Sequence, residues 1–191
     1  MEPTAPRSRG RAQLLDADEV VSVALRLLDA EGANAVSIRR LSADLGVSHM
    51  TLYGYFESKD ALLEAMVART LDVPSIARDP ERSWDENLTA AIREIYETLV
   101  ARPGIAEMLV AREFGGAWIG SVRDKLLSLL VDATYDESSR IDNISVLFNY
   151  LLGAVMIDTN RTRGGSNASF EMGLEILVSG IRDRAPRRSE R

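Results

Sequence analysis

The sequence predicts an all-α fold: an N-terminal three-helix unit containing a helix-turn-helix, then a longer helical unit. Three observations predict it. Apolar residues recur at three-to-four spacing along almost the whole chain. No period-two alternation runs long enough for a pair of strands. Helix-starting Asp and Ser and helix-stopping Gly and Pro fall at the ends of the apolar stretches. With 191 residues, 46% hydrophobic and 27% charged, the chain is long enough and apolar enough for a sizeable core.

The elements follow in order. Residues 1–13 hold Pro3, Pro6, Gly10 and three arginines with little to bury, and read as a disordered arm. Asp16 and Glu19 have capping-box spacing and open a helix with Val20, Val21, Ala24, Leu27 and Leu28 on one face, stopped by Gly32. Ser37 caps a second helix with Ile38, Leu41 and Leu45 inward, ended by Gly46. Ser48 caps a short third helix holding Leu52 and Tyr53. Ser58 caps a fourth with Leu62, Leu63, Met66 and Val67, and Pro74 and Pro80 close a unit spanning 14–72.

The second unit, 73–185, has longer helices. Leu88, Ala91, Ile92, Ile95, Leu99 and Val100 form a stripe over Trp84–Ala101, which Pro103 and Gly104 end. Further helices are expected over Ile105–Arg112, Trp118–Val131, Asp136–Asp158 and Ser169–Arg184, with a Gly/Ser/Asn loop at Arg161–Asn167. The tail, 186–191, is charged and loose.

Residues 37–59 read SIRRLSADLGVSHMTLYGYFESK. Two short helices flank Leu45-Gly46-Val47-Ser48, the spacing of a helix-turn-helix. The outward face of its second helix offers Ser48, His49, Met50, Thr51, Tyr53, Gly54 and Tyr55, a set suited to a major groove. Arg39 and Arg40 begin the preceding helix, where guanidinium and backbone N–H groups can face phosphates. From charge alone they read equally as a solvated helix face. Arg7, Arg9 and Arg11 read either as a plain tail or as an arm reaching the DNA backbone or minor groove.

The stretch from Leu41 through Gly46-Val47, Thr51-Leu52-Tyr53, Tyr55-Phe56, Lys59-Asp60 and Leu62-Leu63 resembles the signature of the tetracycline-repressor (TetR) family. The resemblance covers about residues 14–70; beyond them it is one of helix count and size. It implies an N-terminal DNA-binding domain and a C-terminal ligand-binding and dimerisation domain. It implies a homodimer on a near-palindrome of double-stranded DNA, usually a repressor released by a small ligand. Thr51, Tyr53 and Lys59 match positions aimed at the DNA backbone. Tyr55 stands where many members have histidine, and its phenol could donate to a phosphate. Ser48, His49 and Met50 fall on base-facing positions, and Arg39 on one reaching a base or phosphate. Gly54 departs from the pattern, since a larger residue is common there.

In the second unit the helix Asp136–Asp158 is apolar on more than one side, and two such helices per subunit can make a four-helix interface with Gly153 and Gly180 allowing close approach. Ile92, Tyr96, Met108, Trp118, Leu127, Phe148 and Leu151 are candidate pocket liners, with Asn149 and Asp158 orienting an apolar or aromatic effector.

Composition excludes other classes. There is no cysteine and one histidine, His49, so disulfides, thiolate chemistry and histidine metal clusters are out. No phosphate loop, nucleophile elbow or metal-spaced cluster appears, so neither an enzyme nor a cofactor is expected. Net charge −6 rules out coating nucleic acid by charge alone. The longest apolar run, Val146–Ile157, is broken by Asn149 and Gly153, so no membrane span is expected and the chain reads as cytoplasmic. The alternatives are an activator, or a helical ligand-sensing or scaffold dimer that does not bind DNA.

Overall fold

A computed structural model describes residues 15–71, 78–110, 117–133, 136–160 and 167–185. The expected arm (1–13) and tail (186–191) lie outside these residues, as do positions 161–166 of the expected loop. Every regular element described is helical.

Local chemistry sets the first four helices. α1 (Ala17–Glu31) starts where the Asp16 carboxylate accepts the Glu19 N–H at 2.6 Å. It buries Val20, Val21, Ala24, Leu25, Leu27 and Leu28 and ends at Gly32, whose φ of +83° suits glycine. After a single 3-10 turn (Ala33–Ala35), the Ser37 hydroxyl caps α2 (Ile38–Leu45) through the Arg40 N–H. Gly46 is left-handed at φ +66°. The Val47 N–H reaches the Ser42 carbonyl (3.0 Å) and the Gly46 N–H that of Ala43 (3.3 Å), which is a Schellman closure. Ser48 then caps α3 (His49–Tyr53), and Ser58 caps α4 (Lys59–Thr70). Leu41, Leu52 and Phe56 are buried with the apolar faces of α1 and α4.

The second unit is built around α5 (Trp84–Ala101), which packs against each of the four helices that follow it. Its start is a full capping box: Ser83 takes the Glu86 N–H, and the Glu86 carboxylate takes the Ser83 N–H at 2.8 Å. Sequence reading placed a capping box only at Asp16/Glu19, where one of the two bonds forms. Buried Asn87 secures the approach to α5, taking the Asp79 N–H and donating to the carbonyls of Asp79, Arg82 and Ser83. α6 (Pro103–Val110), α7 (Ala117–Leu129), a 3-10 turn (Val131–Ala133), α8 (Glu137–Asn160) and α9 (Ala168–Arg184) complete the bundle.

Two expectations need correction. α6 begins at Pro103, two residues before the expected start. Proline fits the first turn of a helix, where its missing N–H has no intrahelical partner, so Pro103 opens α6 rather than only closing α5. Within α8, the 23-residue stretch Glu137–Thr159 is long and apolar enough on average to cross a membrane, which the sequence reading did not allow. It is a bundle helix for a physical reason. Ile144, Leu147, Phe148, Leu151, Leu152 and Val155 are buried, and α8 packs on α5, α6, α7 and α9.

The two units share one hydrophobic core. At the corner between α5 and α6, Arg102 pairs with Asp29 of α1 (3.0 Å) and donates to the Thr70 hydroxyl of α4 (3.3 Å). Beside it, Gly104 lets α6 close on α1: a Cβ there would come within 2.6 Å of the Leu28 side chain.

Candidate nucleic-acid interface

The Schellman turn and the Ser48 cap project α3 from the first unit. Leu52 anchors it inward, while His49, Met50, Thr51, Tyr53 and Tyr55 are all exposed, Met50 to 78%. A methionine so exposed on a five-residue helix lends no stability to the fold, so its placement is a surface property. Ser48 is partly engaged: its hydroxyl caps the Thr51 N–H and lies 2.9 Å from the Thr51 hydroxyl. Lys59 is exposed at the first position of α4. Arg39, also exposed, begins α2. The expected residues are therefore exposed positions on α2, on and just after α3, and at the start of α4.

Two more of them, Arg40 and Tyr55, are bonded to groups outside α3. Arg40 pairs with Glu31 at 2.7 Å and Asp44 at 3.1 Å. Hydrogen bonds to these carboxylates, Glu31 first, push the guanidinium still further above its ordinary value. The Tyr55 phenol donates to the backbone carbonyl of Leu15. Neither partner was legible from the sequence, because Glu31 is nine residues from Arg40 and Leu15 forty from Tyr55.

In the second unit, Ile92, Tyr96, Phe148 and Leu151 are buried together in the α5–α8 core. Leu127 is half-buried in α7. The side chain of Trp118 lies outside the described residues. Buried Met108 borders a cleft of about 450 Å³ lined from both units, with Asn34, Lys59, Leu63 and Glu107. Asn149 is exposed on α8 and does not face this core. Asp158 does meet a predicted liner: the Tyr96 hydroxyl donates to it at 2.5 Å. Burial, then this carboxylate, pushes the Tyr96 phenol well above the ordinary tyrosine range.

Sequence reading missed what surrounds Tyr96. Phe170 of α9 stacks on it with ring centroids 3.7 Å apart, and Tyr150 of α8 stacks on the other partner, Phe170, at 5.9 Å. The Tyr150 hydroxyl donates to the Ser169 and Phe170 carbonyls and occupies the space that a side chain at Gly173 would need. An aromatic in α9 preceding a glycine by three was the available signal. A second groove, about 460 Å³, lies between α5 and α9, bordered by Arg93, Glu171, Met172 and Arg182. No group of three or more His, Cys, Asp or Glu suited to a metal occurs among the described residues.

Two family models match the chain in tandem. Residues 20–66 match that of bacterial regulatory proteins of the tetR family, and residues 77–164 match the tetracyclin repressor-like C-terminal domain. The chain belongs to the tetR family of regulators. The helix-turn-helix lies inside the first match and the α5–α8 core inside the second. Among curated relatives, the chain is 29% identical over 148 residues to the HTH-type transcriptional repressor DrrR1 of Streptomyces coeruleorubidus, covering 77% of this chain and 55% of that protein. The chain thus spans little more than half the length of that relative, and 66% of a transcriptional regulator from Saccharopolyspora erythraea. Among solved structures, ActR of Streptomyces coelicolor in complex with actinorhodin superposes with a TM-score of 0.78 at 21% identity, covering 90% of this chain and 98% of that one. BioQ of Mycobacterium smegmatis, with its double-stranded DNA operator, gives 0.75 at 24%, covering 88% and 98%. These two share the TetR fold with this chain.

Proposed function

We propose that this TetR-family chain is a sequence-specific DNA-binding transcriptional regulator, a homodimeric repressor that an apolar or aromatic small molecule releases from a near-palindromic operator. The observation that carries it is the exposed α3 surface: His49 and Met50 for base edges, with Thr51, Tyr53, Arg39 and Lys59 for the backbone. BioQ with its operator and ActR with actinorhodin support both halves of the reading by family likeness. Two α3 helices in a dimer enter successive major grooves about 34–36 Å apart. A ligand releases DNA only if it prefers a dimer state in which that spacing is lost. α4 and the Arg102 corner join the two units and would carry the shift. The protein acts in the cytoplasm, where operator and effector meet.

The test is selection of the purified protein against random duplexes, followed by sequencing of the bound pool. A near-palindrome is expected, with His49→Ala and Met50→Ala relaxing single positions by about 1–3 kcal/mol each. No enrichment by a folded dimer at low salt overturns it. One observation favours the second reading, a helical sensor without DNA binding. Residues 15–71 carry five Lys and Arg against nine Asp and Glu, an acidic balance for a DNA-facing unit.

A further inference from the structure

We infer that Arg40 is a positioning residue for DNA binding and not a phosphate contact: it clamps α2 to the last turn of α1 and so sets how α3 meets the bases. The inference rests on the DNA-binding reading above and gives Arg40 a role other than the phosphate contact that its place at the start of α2 suggests.

All three nitrogens of the Arg40 guanidinium are engaged. The two terminal nitrogens donate to the two Glu31 carboxylate oxygens at 3.0 and 2.7 Å, a fork that fixes direction as well as distance. Nε donates to Asp44, one turn further along α2, at 3.1 Å. Glu31 is the last residue of α1, so the fork spans the 3-10 turn that joins the two helices. Arg39 is placed differently. Around the helix axis it stands about 200° from Leu41, with Arg40 halfway between them. Leu41 is buried and Arg39 exposed, so α2 turns Arg39 outwards and Arg40 sideways onto α1.

Charge separates the two roles. One guanidinium between two carboxylates leaves the trio negative overall, so it repels a phosphate. The clamp also has a reason to sit where it does. The last turn of α1 carries Asp29 and Glu31 and no basic residue, although the carboxyl end of a helix disfavours anions. Each acid is met by an arginine from another element: Glu31 by Arg40, and Asp29 by Arg102 at the α5–α6 corner, at 3.0 Å. One turn of α1 therefore holds the helix-turn-helix through one acid and the second unit through the other. An ion pair this exposed adds little to stability, so what it supplies is geometry.

Affinities for the selected operator and for a scrambled duplex are measured by fluorescence anisotropy for wild type, Arg40→Gln, Glu31→Gln and the double variant. Both side chains are 44% exposed, so the variants keep the fold, which circular dichroism checks. Phosphate contacts strengthen both duplexes alike, so the ratio of the two affinities reads how α3 is presented to the bases. That ratio is expected to fall about tenfold in each single variant and no further in the double, because both changes undo one clamp. Arg40→Lys keeps the charge and loses the fork, and its ratio should fall as well. A wild-type ratio in Arg40→Gln or in Glu31→Gln overturns the inference, whatever happens to the melting temperature. So does a Glu31→Gln variant that binds both duplexes more tightly at an unchanged ratio, which makes Arg40 a phosphate contact that Glu31 masks. A double variant that falls by the product of the two single losses overturns it too. Failure of the DNA-binding reading looks different: wild type then selects no operator, and the inference falls with it.

Discussion

Glu171 takes both hydrogen bonds of the Arg93 guanidinium, at 2.8 and 2.7 Å, and so ties α9 to α5 through one side chain. These bonds hold the Glu171 carboxyl below its ordinary value, outweighing the effect of partial burial. A carboxylate depressed in the folded state contributes stability above its unfolded value, about 4.3, and that contribution is lost as pH falls towards the lower folded value. The pair is about one-third exposed, so solvent screening keeps its worth near 0.5–1 kcal/mol. Glu171→Gln should therefore be less stable than wild type at pH 7 by about that amount. Its disadvantage should shrink as the pH is lowered from 5 to 3. Urea midpoints measured along this range check it, and parallel curves for the two proteins would contradict it.

At the scale of elements, the α2–α3 turn decides how α3 is presented. Gly46 sits at φ +66° with open space where a Cβ would go, so substitution there costs backbone strain and nothing else. That strain is about 1–2 kcal/mol for an ordinary L-residue and smaller for asparagine. Stability should fall in the order Gly, Asn, Ala, Val at position 46, with Ala melting about 2–8 °C below wild type. A thermal melt with Ala equal to Gly would show that the turn does not need the left-handed conformation. This turn was readable because its chemistry is local: a glycine directly after the inward Leu45, then a serine cap two residues on. The boundaries of α1 to α4 were readable for the same reason, since Asp16, Ser37, Ser48 and Ser58 each bond an N–H three residues on. What escaped was non-local. Gly104 looks like a helix stop, yet it sits inside α6 because Leu28 of α1 packs against it. Arg40 and Tyr55 look free in the sequence, while Arg40 meets Glu31 at the end of α1 and Tyr55 meets Leu15 just before it. Asn149 follows the apolar period closely enough to be taken for a pocket residue, but it falls on the outer side of α8.

That outer side matters for the whole molecule. Val146, Asn149, Gly153 and Ile157 follow one another on α8 at three-to-four spacing and are all exposed; Met172, Ile176 and Gly180 do the same on α9. The two helices pack on each other, and beyond its chain neighbours and its own helix backbone nothing in the described chain lies within 4 Å of a Cβ built at Gly153 or Gly180. Apolar rows interrupted by glycines on the outside of a bundle fit a four-helix contact with a second copy, where each stripe meets its own symmetry mate. On the proposed reading, dimerisation compensates for an acidic N-terminal unit, because joining two weak half-site contacts multiplies affinity without any new contact to DNA. Ile176 is 64% exposed, so a glutamate there should leave the fold of one chain intact while placing two unpaired carboxylates in the dimer contact. Ile176→Glu should weaken dimerisation by about a hundredfold or more. Sedimentation equilibrium should then show a monomer with wild-type helical content, and operator affinity should fall to that of a single half-site. A dimer of undiminished strength would place the contact between copies elsewhere. A monomer that still held the operator at full affinity would break the link between the α8–α9 surface and DNA binding.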